Sequence, residues 1–154
     1  MTMTFSGPRH QLFGIGALVV FAGLCQTGPT GAREPTTILA AKPVVGTSSA
    51  EMTAISQTNA ARARHGLPPL AVDSQLMNGA RNHARWMASR NSLQHGSGVA
   101  ENIAMGQSSA SEAVSDWMNS PGHRANILGS GYTRIGVSLA YSSSGTAYWC
   151  QQFK

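Results

Sequence analysis

The run TRIGVSLAYSSSGTAYWCQQF, residues 133–153, holds two alternating segments around a Ser/Gly turn. Ile135, Val137, Leu139 and Tyr141 fall on one side of the first segment. Trp149, Gln151 and Phe153 do so in the second. A period of two sends successive side chains to opposite faces, so both segments read as strands. The turn at 142–145 closes them into an antiparallel hairpin. A shorter strand is expected at 101–104, ENIA.

Upstream the period becomes helical. Ser48 and Glu51 have capping-box spacing, and Met52, Ile55, Asn59 and Arg62 recur along a helix over 49–65 that Gly66 and Pro68-Pro69 end. Asp73 caps a second helix reaching Arg90, with Leu76, Ala80, His83, Ala84 and Met87 on one face. A third spans 109–119. Ser109 and Glu112 again fit a capping box there, and Val114, Trp117 and Met118 are its apolar face. Pro121-Gly122 forces a turn, and 123–128 forms a short extra helical turn. Helices first and a sheet last make an α+β domain with helices on both faces.

The N-terminal third reads differently. LFGIGALVVFAGLC, residues 12–25, is apolar but short of the roughly 20 residues a membrane-spanning helix needs. Arg9 and His10 precede it and small polar residues follow, the layout of a secretory signal peptide over 1–32. Residues 33–48 are rich in Pro, Thr and Ala and form a linker, which leaves 49–154 as one small domain. Secretion, extracellular or periplasmic, is expected, with no integral membrane span once the signal is removed. Cys25 leaves with the signal, so Cys150 stands alone as a buried, inert thiol.

The chain has 154 residues with a net charge of +5, and only 11% are charged, well below the usual quarter. The Arg residues are spread along the chain without a basic run. That argues against nucleic acid as a partner and leaves a mild bias toward anionic surfaces.

Two histidines and one acid fall beside glycines at element boundaries: His95 (LQHGSG), Glu101 (VAENIAMG) and His123 (SPGHRANIL). Two imidazoles and a carboxylate, with a fourth position left to water, match the donor set of catalytic zinc. The same three residues can equally hydrogen-bond one another and pin three loops, and spacing does not choose between the two. Asn102 and Asn126 are expected to hold loops. Arg124 is expected to be solvated. His65 suits the C-terminus of its helix, and His83 is expected to be a packed helical residue. Trp86, Trp117 and Trp149 are assigned to packing. Ser120 lies three residues before His123, but Pro121-Gly122 separates them, so a nucleophile–base pair is not expected.

The segments TNAARARHGLPPLAVDSQL, LQHGSG, AENIAMG, AVSDWMNSPGHRANIL, YTRIGVSLA and YWCQQF occur in that order from about residue 52 to 153. Together they resemble the CAP superfamily of cysteine-rich secretory, antigen-five and pathogenesis-related proteins, in its short bacterial SCP-domain branch. The resemblance implies an α-β-α sandwich with a central antiparallel sheet and a cleft lined by two His and two acids. It maps His95, Glu101 and His123 onto three of these. Ser120 stands where longer relatives carry the second acid, and Ala100 replaces the Gly before the Glu. With that carboxylate gone, two His and one Glu suit zinc better than calcium, with modest affinity that falls on acidification.

Three functions are open on this reading. The cleft binds an extracellular ligand such as a lipid or cell-surface component, through a divalent cation with zinc favoured. Alternatively Glu101 is the general base of a metal-assisted peptidase or cell-wall hydrolase. Or the polar cluster is only a loop clasp.

Overall fold

The computed structural model describes residues 46–154. The expected signal segment and all of the linker before Gly46 lie outside the described residues. Four helices and four strands follow one another: α1 (Ser49–Arg64), β1 (Ala71–Val72), α2 (Ser74–Arg90), β2 (Ala100–Met105), α3 (Ala110–Asn119), α4 (Pro121–Ile127), β3 (Arg134–Tyr141) and β4 (Ala147–Phe153).

Local chemistry sets the helix starts. Ser48 accepts from the Glu51 N–H, and the Glu51 carboxylate accepts from the Ser48 N–H at 2.7 Å, closing the capping box of α1. Asp73 accepts from the Gln75 and Leu76 N–H groups to open α2. At α3 only half of the expected box forms. Ser109 accepts from the Glu112 N–H, but the Glu112 side chain turns to Ser108. Pro121 does more than end α3. It stands at the first position of α4, where its missing N–H costs nothing, and the single turn expected over 123–128 is a seven-residue helix.

The sheet order is β1-β3-β4-β2. β3, β4 and β2 are antiparallel, in the register Ile135↔Phe153 and Glu101↔Gln152. β1, not foreseen in the sequence, adds a two-residue parallel edge to β3. β4 is central and buried along its whole length. One core packs α1, α3 and Ile127 against Ile135, Val137, Trp149 and Phe153. A second packs the Ala80, Ala84, Met87 and Ala88 stripe of α2 against Ile103, Tyr148 and Cys150. The layers are therefore α-β-α, with α2 holding its side through contacts to β3 and β4.

Two glycines permit the close approach of α2. A Cβ at Gly136 would overlap the Leu76 carbonyl, and one at Gly79 would strike the Gln152 side chain. On the opposite side, Arg62 is fully buried and donates to the carbonyls of Pro68, Ile127, Gly129 and Tyr132. It ties the end of α1 to the exit of α4 through charged hydrogen bonds.

Candidate functional site

The site lies off the free edge of β2, where the loop from α2 crosses to β2 and α4 approaches from the other layer. Glu101 is the second residue of β2, inside the strand expected at 101–104, which starts one residue earlier. Strand alternation sends its side chain toward α2, together with Cys150 and Gln152 of β4.

The Glu101 carboxylate is buried and surrounded by donors. Oε1 accepts from the Gly96 N–H at 2.9 Å and faces His95 Nδ1 at 3.3 Å and His83 Nε2 at 3.5 Å. Oε2 accepts from Gln152 Nε2 at 3.0 Å and from the Cys150 thiol at 3.3 Å. Burial pushes its pKa up, but the hydrogen bonds from Gln152, Gly96 and Cys150 and the nearby His83 outweigh burial and hold the pKa below its ordinary value. Glu101 is thus a carboxylate at neutral pH.

The His95 ring is the exposed member of the pair, with 57% of its side chain open to solvent. A proton on Nδ1 facing Glu101 leaves Nε2 as the lone-pair nitrogen. The His123 ring stands 6.2 Å from that of His95, tilted by 44°. Burial and then the proximity of His95 hold the His123 pKa below its ordinary value, so its ring is neutral at pH 7. Two asparagines brace this corner, as expected of them. Asn102 donates to the His123 carbonyl at 3.1 Å, and Asn126 donates to the Glu101 carbonyl at 3.2 Å and to Asn102 Oδ1 at 2.9 Å.

The structure thus brings His95, Glu101 and His123 together. Ser120 sits half-buried at the joint of α3 and α4 and makes no side-chain capping bond. No hydrogen bond links it to His123 among the described residues. His83 is packed on α2 as expected, with its side chain largely buried, and it also borders the site. It bonds the Gln94 carbonyl at 2.8 Å, faces Glu101, and stacks on Trp86 at 5.6 Å. A polar residue on an apolar helix stripe was the available signal. Gln152, Cys150 and Gly96 were not legible, because their approach depends on strand register and loop path. Cys150 is buried as expected, with burial and the Glu101 charge pushing its thiol pKa far up.

Trp117 and Trp149 are core residues whose indole N–H groups donate to Ile103 and Gln107 carbonyls. Trp86, assigned to packing from sequence, is instead exposed. Arg124 is exposed and bonds His65 at 3.2 Å. A mostly apolar groove of about 390 Å³ runs past Met118, Pro121, Arg124 and Leu128. No site histidine or Glu101 lines it, so it is separate from the cluster.

Among the described residues, no group of three or more His, Cys, Asp or Glu side chains is arranged to hold a metal ion. The donor chemistry shows why. Both Glu101 oxygens face donors, and the nitrogens left over belong to two imidazoles. What remains beside the carboxylate is a pair of imidazoles, one of which faces it.

Comparison with known proteins agrees with this architecture. The family model described as CAP, cysteine-rich secretory protein family, matches residues 55–153. The uncharacterized protein YkwD of Bacillus subtilis is 38% identical over 69% of this chain and 47% of its own length. This chain therefore spans about half of that relative. An extracellular SCP-domain protein from Bacillus anthracis superposes with a TM-score of 0.57 at 30% identity, covering 68% of this chain and 40% of that one. NaASP2, solved with Zn2+, superposes with a TM-score of 0.60 at 17% identity, covering 72% and 82%.

Proposed function

The chain belongs to the cysteine-rich secretory protein (CAP) family, and on that footing we propose that it is a secreted binding module. In this reading His95 and His123 take an extracellular ligand, a lipid or cell-surface component, through a divalent cation with zinc preferred. The observation that carries the reading is the division of labour at the cluster. Glu101 accepts four hydrogen bonds, from Gly96, His95, Gln152 and Cys150, while the rings of His95 and the neutral His123 stand close together. A ligating imidazole commonly donates its other N–H to a carboxylate, which is the relation of His95 to Glu101. Glu101 therefore orients, and the two histidines ligate. Secretion is supported by the extracellular relative. No helix among the described residues is long and apolar enough to cross a membrane.

The hydrolase alternative needs Glu101 as a general base. A base takes a proton best when its pKa lies near the working pH and an oxygen is within reach of the water. The bonded oxygens and lowered pKa of Glu101 work against both conditions.

Calorimetric titration of zinc chloride into the full chain tests the binding reading. One site is expected, abolished in His95→Ala/His123→Ala and about 10- to 100-fold weaker in Glu101→Gln, which loosens the ring's support. Undiminished binding in the double variant overturns it.

A further inference from the structure

The described residues carry five carboxylates, and none of them is paired with a Lys or Arg. Glu51, Asp73, Glu112 and Asp116 bond backbone groups and neutral side chains, Glu101 is held in the site, and the ion pairs present are both from histidine to Glu101. Basic charge is therefore left uncompensated, and it gathers on α2. That helix contains Arg81, Arg85 and Arg90 and no acid. Its inner stripe packs on the sheet, and its outer face is open to solvent.

Trp86 sits at the centre of that outer face and is 39% exposed. His83, one turn before it, stacks parallel to the indole at 5.6 Å, and the Arg90 guanidinium, one turn after it, lies 5.9 Å from the ring centroid. The indole thus contacts two side chains of its own helix and stays partly open to solvent. Leu93 and Val99, in the loop that follows, are also exposed. Arginines flanking a partly exposed indole, with exposed aliphatic side chains in the loop that follows, match the boundary between lipid headgroups and acyl chains.

We propose that the outer face of α2 docks on an anionic phospholipid bilayer. Arg85 and Arg90 meet headgroup phosphates, with Arg81 adding charge beside them, and the exposed part of Trp86 enters the interface. Guanidinium suits phosphate through its fork of donors. This surface differs from the ring pair of His95 and His123, and His83 adjoins both, stacking on Trp86 and facing Glu101.

The test uses the full chain with vesicles of phosphatidylcholine alone or mixed with phosphatidylglycerol. Sedimentation should show a preference for the anionic vesicles that fades with added salt. Arg81→Gln/Arg85→Gln/Arg90→Gln should lower that partitioning by about 10- to 100-fold, while the triple Lys variant keeps most of it. Trp117 and Trp149 are buried, so quenching of tryptophan emission by spin-labelled lipid reads Trp86, and Trp86→Phe should abolish it. The apolar segment at 12–25 contains no Trp and does not contribute to this signal. Three results each overturn the proposal: equal binding of the triple Gln variant, bound protein with unquenched Trp86, or binding to a soluble polyanion such as heparin without preference for anionic vesicles.

Discussion

Glu101 shows how one buried carboxylate organises a corner of the molecule. It gathers α2, the following loop and β4 through His83, Gly96, Cys150 and Gln152. Replacing it with Ala strands several buried donors, and a loss of about 3 kcal/mol in urea unfolding is expected; a loss within error of zero would remove its central place. Arg62→Met should cost about the same, because the buried carbonyls of Ile127 and Gly129 lose a charged donor. Acid sensitivity also belongs to single residues. The folded state holds His123 below its ordinary pKa of 6.5, so as pH falls the unfolded chain takes up the proton first. The stability this contributes is present above pH 6.5 and is lost as pH falls toward the folded value. Glu101, lowered from 4.5, has the same sign in a lower window. Unfolding free energies should therefore drop as pH falls below about 6.5, and His123→Asn should flatten that step; an unchanged slope in the variant contradicts the assignment. At this scale His95 and His123 were legible as motif residues. Gln152 and Cys150 were not, since nothing local to them announces a neighbour about 50 positions away.

At the level of elements, the fold depends on how closely α2 lies on β3. Gly136 is the point of contact, where a methyl group would overlap the Leu76 backbone. Backbone cannot yield as a flexible side-chain tip does, so Gly136→Ala should destabilise by about 3 kcal/mol or more. Gly79→Ala presses on the flexible Gln152 and should cost less, while shifting Gln152 away from Glu101. Thermal or urea melts of both variants check the order, and a reversed order contradicts this packing. The hairpin, the starts of α1 and α2 and the length of β4 were readable because caps and alternation are local signals. β1 was not, because two residues hold no period. α4 was read short because Pro121-Gly122 looks like a break until its position at a helix start is known.

For the whole molecule, the topology explains why three distant positions meet. β2 is an edge strand, so the loop carrying His95 and the helix carrying His123 reach the same end of the sheet from opposite layers. That meeting was expected from the order of the motifs and their family resemblance, but the orienting role of Glu101 depends on the register Glu101↔Gln152, which no single stretch of sequence contains. A ring pair at the cleft and an arginine face on α2 make two surfaces, and the Arg81→Gln/Arg85→Gln/Arg90→Gln variant should leave zinc binding intact. The most direct measurement is a zinc titration of the full chain followed by histidine side-chain NMR. The account predicts that the ring signals of His95 and His123 shift together and saturate at one equivalent, while His65 stays unmoved. Separate midpoints for the two rings, or a response at His123 without His95, would contradict it.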